Sequence, residues 1–111
     1  MSDLHEAHCE ACEGLSGALE PGQVRTLMSQ LDARWSARED GKALEAQFTF
    51  KNYYQTMAFL NAVAYIANRE NHHPDIRFGY KNVDMLWQTH AVDGVTHNDF
   101  ICAAKVDRLV I

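Results

Sequence analysis

The chain has 111 residues, 47% of them hydrophobic, which suits one compact core and is short for two. Ten Lys and Arg stand against fifteen Asp and Glu, a formal net charge of -5, and the basic residues are scattered, which argues against a phosphate-tracking surface and against direct nucleic acid binding. No apolar stretch approaches the roughly 20 residues of a membrane span, and the start MSDLHEAHCEAC lacks the basic-then-apolar layout of a signal peptide.

Cys9, Cys12 and Cys102 make an odd count, which fits a reducing compartment better than a disulfide framework, so a soluble cytoplasmic protein without membrane contact is expected. Residues 1 to 20 are polar, carry Gly14 and Gly17 and show no sustained period, so they read as an N-terminal leader ahead of a domain over 21 to 111. After Pro21-Gly22, the spacing of Val24, Leu27, Met28 and Leu31 predicts an amphipathic helix over 21 to 31.

Trp35 to Glu39 and Ala43 to Phe50 flank Asp40-Gly41, whose tolerance of positive φ suits a tight turn between antiparallel strands. In the second run Leu44, Ala46, Phe48 and Phe50 alternate with Ala43, Glu45, Gln47 and Thr49, the pattern of a strand with one buried face. Asn52, three residues before Gln55, marks the start of a long helix over 53 to 69. Its apolar stripe is Tyr53, Met57, Leu60, Ala64 and Ala67, widened by Phe59, Val63 and Ile66.

Pro74 restricts His73 to extended geometry, so His72 and His73 fall just beyond that helix. Ile76, Phe78 and Tyr80, then Val83, Met85, Trp87 and Thr89, alternate as a second hairpin. Thr96 with Asp99 repeats the capping spacing ahead of Phe100, Ala103, Ala104, Val106 and Val110, the inner face of a last helix. The order αββαββα, with two consecutive hairpins, predicts an α+β two-layer domain: a four-stranded antiparallel sheet with helices packed on one face. Its exposed edges make pairing between subunits a reasonable expectation.

His72, His73 and His90 all stand at element ends, where a sheet can bring side chains together. Imidazole titrates near neutrality, so such a cluster offers both a proton acceptor and a proton donor for an elimination of water. The plainer reading is that His72 interacts with a helix end, His73 faces solvent in a turn, His90 ends a strand and Asp99 is only a capping carboxylate. A metal centre built from His72, His73, His90 and Asp99 is a further alternative.

The segment Asn71-His72-His73-Pro74, followed by Tyr80, Val83, Thr89-His90, Gly94 and Asp99, resembles the signature of the pterin-4a-carbinolamine dehydratases. The similarity extends upstream through Trp35 and the run Gln47-Phe48-Thr49-Phe50-Lys51, covering roughly residues 21 to 110. The resemblance implies an enzyme that dehydrates 4a-hydroxytetrahydropterin to quinonoid dihydropterin, in support of phenylalanine hydroxylase and pterin recycling. It also implies a homodimer or homotetramer that uses pterin as substrate and needs no cofactor or metal. Some animal relatives also act as dimerisation cofactors for a homeodomain transcription factor, so docking onto a hydroxylase or a transcription regulator is the alternative function.

By analogy His72, His73 and His90 surround the pterin, His72 and His90 acting as acid and base and His73 as a positioning group. Asp99 is expected to orient an imidazole or fix the helix, Trp35 to wall the ring or pack in the core, and Pro74 and Thr89 to support the site. Where many relatives have an acidic residue four positions before the first histidine, this chain has Asn68, with Glu70 two before; an acid found just before the pair in some relatives is Asn71 here. The expectation is a lower pH optimum or use of Glu70 instead.

In the leader, His5, His8, Cys9 and Cys12 form H-x-x-H-C-x-x-C, ligand types that suit zinc, although adjacent His8 and Cys9 cannot easily bind one ion without strain. The competing reading is a tail with exposed thiols.

Overall fold

The computed structural model describes residues 4–9, 17–38 and 41–109. Their elements are α1 (Pro21–Met28), β1 (Ser36–Arg38), β2 (Ala43–Thr49), α2 (Tyr53–Glu70), β3 (Asp75–Phe78), β4 (Asn82–Trp87) and α3 (His97–Asp107). This is the expected αββαββα order. The four strands form one antiparallel sheet in the order β1-β2-β4-β3, so each hairpin occupies one side and β2 meets β4 in the middle.

The pleat explains how the sheet acquires its inner face. Leu44, Ala46 and Phe48 of β2 lie opposite Trp87, Met85 and Val83 of β4, and all six are buried. Phe59, Val63 and Ala67 of α2 and Phe100, Ala103 and Val106 of α3 complete this core. Phe48 ties the layers together, its ring 4.7 Å from Phe59 and 6.0 Å from Trp35.

Several local expectations shift. Helix α1 ends at Met28 rather than at 31, because the chain tightens into bonds from Gln30 N–H to the Leu27 carbonyl and from Leu31 N–H to the Met28 carbonyl, while the Ser29 hydroxyl bonds the Thr26 carbonyl. The buried stripe of α2 is Thr56, Phe59, Val63, Ala67 and Glu70, rotated from the predicted one. Tyr53 instead stacks on Tyr80 at 6.0 Å on the surface, and Ala64 is exposed. Gly41 has φ +86, as the turn requires; its predicted partner Asp40 and the strand end at Glu39 lie outside the described residues.

The N-terminal segment is packed against the domain where it is described. Leu4–Glu6 form a 3-10 turn, and Leu4, Cys9 and Leu19 pack against the core. Among the described residues no helix is long and apolar enough to cross a membrane.

Candidate active site

The end of α2 is built to turn His72 inward. Asn71 adopts the left-handed conformation (φ 53), its N–H bonds the Asn68 carbonyl, and the His72 N–H reaches back to the Ala67 carbonyl at 3.1 Å. This is the bonding of a Schellman cap, in which asparagine can replace the usual glycine. Pro74 then keeps His73 extended and directs the chain into β3.

The start of α3 supplies the partner. The Asp99 Oδ2 accepts the Thr96 N–H at 3.0 Å, the expected capping geometry, and also the Thr89 hydroxyl at 2.7 Å. Its other oxygen, Oδ1, lies 2.6 Å from His72 Nε2. Because the Thr89 proton goes to Asp99, the 2.9 Å contact between the two threonine hydroxyls must be donated by Thr96. The His72 ring, the Thr89 hydroxyl and the Thr96 N–H thus converge on one carboxylate, which is how a fully buried Asp99 is satisfied.

Trp87 lies under the His72 ring, centroids 5.7 Å apart and planes 14° from parallel. The Trp87 Nε1–H is buried and has no acceptor among the described residues. His72 itself is 6% exposed. Asp99 engages its Nε2.

The remaining histidines are surface groups joined to this cluster through the chain. His73 directly follows His72 and is exposed. His90 directly follows Thr89 and is exposed, opening the short 3-10 turn His90–Val92. That turn is closed by reciprocal backbone bonds between Thr89 and Gly94, with Asp93 at φ 52. A groove of about 460 Å³ on the open face of the sheet, lined by Arg38, Glu45, Asp75, Arg77 and Asp84 among others, contains none of the three histidines. Neither does the hollow beside Phe50 and Phe59.

Glu70 belongs to a second network. Its Oε1 accepts the Cys9 N–H at 2.8 Å, its Oε2 lies 3.0 Å from His8 Nδ1, and the Lys105 ammonium is 3.6 Å away. Burial pushes this carboxyl up, but the Cys9 amide, the His8 ring and the Lys105 charge together hold it below the usual carboxylate range. Lys105 also bonds the His5 carbonyl at 2.9 Å, tying the N-terminal segment to α3. Sequence reasoning missed this clamp; the available signal was an acid in phase with Phe59, Val63 and Ala67 on the buried stripe of α2.

Trp35 is buried beside Phe48, and its indole N–H donates to Asp107 Oδ1 at 2.7 Å. Asp107 stands eight residues after Asp99 along α3, about 12 Å at helical rise, so Trp35 serves the opposite end of that helix. Of the leader residues weighed as metal ligands, His5 lies 3.9 Å from Glu6, His8 meets Glu70, Cys9 meets Cys102, and Cys12 lies outside the described residues. Among the described residues no three His, Cys, Asp or Glu side chains are arranged to hold a metal ion.

Comparison with known proteins matches residues 17–109 to the family described as Pterin 4 alpha carbinolamine dehydratase. A Legionella pneumophila (strain Lens) protein provisionally named pterin-4-alpha-carbinolamine dehydratase is 52% identical over 110 residues, 99% of this chain and 97% of the relative. A Nitrosospira multiformis protein of the same provisional name is 50% identical, over 98% of this chain and 94% of its own. In three dimensions the chain is similar to the transcriptional coactivator/pterin dehydratase from Brucella melitensis, with a TM-score of 0.81 at 26% identity, over 86% of this chain and 100% of that one. The match across nearly the whole sequence and the shared fold lead to one conclusion: the chain belongs to the pterin-4a-carbinolamine dehydratase family, a family of hydro-lyases.

Proposed function

We propose that this protein dehydrates 4a-hydroxytetrahydropterin to quinonoid dihydropterin, with His72, His73 and His90 around the substrate. In the reaction the C4a–O bond breaks and the hydroxyl leaves as water after taking a proton, while N5 loses its proton and a C4a=N5 double bond forms. One group must donate and one must accept, and neither role requires a covalent intermediate. The observation that carries this reading is the buried His72–Asp99 pair, with exposed His73 directly after His72 and exposed His90 directly after Thr89, whose hydroxyl donates to Asp99.

Asp99 and Trp87 fix the position and tilt of the His72 ring, so Nδ1 is presented without a search over rotamers. His90 is the proposed complement of His72 in the acid and base pair, and His73 positions the pterin. Thr89 supports Asp99 by donating to it, and Pro74 keeps His73 extended. The Glu70 carboxylate is committed to Cys9, His8 and Lys105, which gives it a role in anchoring the N-terminal segment.

A homodimer or homotetramer fits the surface. Strands β1 and β3 are both edges, and β3 exposes Ile76 and Phe78, 36% and 49% accessible, two residues of the apolar face. A second copy paired there would also approach His73, two residues before the strand. The proposed physiological setting is support of phenylalanine hydroxylase by pterin recycling in the cytoplasm.

Stopped-flow decay of the 4a-hydroxy adduct tests the reading. The wild-type protein should accelerate it and His90→Ala should slow it strongly; an unchanged rate in that variant would exclude His90 from the chemistry. The Brucella neighbour's name joins coactivator with dehydratase, which supports docking onto a hydroxylase or transcription regulator as a second reading. Replacing both His72 and His90 by Ala separates the two, since docking should survive the loss of turnover.

A further inference from the structure

The thiols of Cys9 and Cys102 approach to 3.6 Å although 93 residues separate them. We propose that they form a reversible disulfide, a modification site that latches the N-terminal segment onto α3. This inference goes beyond the dehydratase reading and does not depend on it.

Three tethers outside the thiols hold the segment in register. The Cys9 N–H bonds Glu70, His8 bonds the same carboxylate, and the His5 carbonyl receives Lys105 from the turn of α3 that follows Cys102. The Cys9 thiol donates to the Asn98 carbonyl at 3.6 Å, so the Cys102 S–H is the donor between the two sulfurs. A disulfide needs about 2.05 Å between sulfurs, so forming the bond brings the two sulfurs closer by about 1.5 Å.

The two cysteines also differ in the way that a reacting thiol and a resolving thiol differ. Cys9 is half-buried and reachable, whereas Cys102 is completely buried. The hydrogen bond to Cys9, burial, and the nearby Asp99 and Glu70 carboxylates all push the Cys102 thiol up, so Cys102 is not the thiol that meets the oxidant first, and its proton must pass to the departing hydroxyl when it attacks an oxidised Cys9 sulfur. With a hydroperoxide as oxidant, the Cys9 sulfur attacks the O–O bond, which breaks to give Cys9 sulfenic acid and one water when the oxidant is hydrogen peroxide. The Cys102 sulfur then attacks the Cys9 sulfur, the S–O bond breaks, and the hydroxyl leaves with the Cys102 proton as a second water. Two thiols are oxidised by two electrons and one peroxide is reduced.

The test uses the full chain carrying Cys12→Ser, which removes the competing thiol, and hydrogen peroxide as the probe. Tryptic mapping without reductant should recover the peptide containing Cys9 joined to that containing Cys102, with two titratable thiols falling to none and returning after dithiothreitol. Because the bond closes a very long loop, the melting temperature should rise by at least about 5 °C on oxidation and fall back on reduction. Cys9→Ser and Cys102→Ala, each in the same background, should lose both effects. Oxidation ending at Cys9 sulfinic acid with Cys102 still reduced would overturn the proposal. So would linkage only between separate chains, or thiols that react only after a chelator removes bound zinc.

Discussion

The His72 imidazole is fixed from two directions at once: Nε2 meets Asp99 Oδ1 at 2.6 Å, and the ring lies 14° from the plane of Trp87. One contact sets the tautomer and the other sets the tilt. An acid capping α3 thereby also orients a side chain two residues beyond α2.

Asp99→Asn should therefore slow dehydration more than it weakens folding. The amide still offers an oxygen to the Thr96 N–H but can no longer serve all the donors that converge on the carboxylate. A fall of about 10- to 100-fold in kcat is expected by stopped-flow, within the range that a proton-transfer group contributes. The accompanying loss of stability in urea unfolding should be about 1–3 kcal/mol. An unaltered kcat would show that the orientation of His72 is unimportant.

Glu70 predicts a pH signature in stability. Its folded carboxyl lies below the ordinary value of 4.5, so its stabilisation is fully present above the unfolded value and is lost as pH falls through the folded one. The melting temperature of the wild type should consequently drop more steeply than that of Glu70→Gln as buffer is taken from neutral pH to below the carboxylate range. Parallel curves for the two proteins would contradict the clamp on Cys9 and His8.

Gly94 is the point where the loop after β4 meets the chain leading into α1. A Cβ at this position would lie 2.7 Å from the Ala18 Cβ, beside the bond from Leu19 N–H to the Val95 carbonyl. Gly94→Ala should cost about 1–3 kcal/mol in a denaturant melt. Adding Ala18→Gly should restore much of the loss, a coupling that unrelated sites would not show.

Trp35→Phe keeps an aromatic ring beside Phe48 and removes the N–H that Asp107 accepts. Stability should fall by about 1–3 kcal/mol, since the lost bond is to a charged, largely buried group. KM for the pterin should stay within about twofold of the wild type, because Trp35 lies toward the far end of α3 from Asp99. A large rise in KM would return Trp35 to the substrate's wall.

The αββαββα order, the inner face of β2 and β4, the Asn52 and Thr96 caps and the position of His72 and His73 beyond α2 follow from local rules: alternation, helical period, side-chain capping and the restriction Pro74 imposes on its neighbour. Those interactions act over a few residues, so a linear sequence displays them. The tertiary structure decided which carboxylate serves which histidine. Asp99 reaches His72 across 27 residues and Glu70 reaches His8 across 62, and no period in the sequence relates such partners. It also decided the phase of α2, turning Glu70 inward and leaving Tyr53 on the surface, because burial depends on what packs opposite a helix as well as on the helix's own stripe.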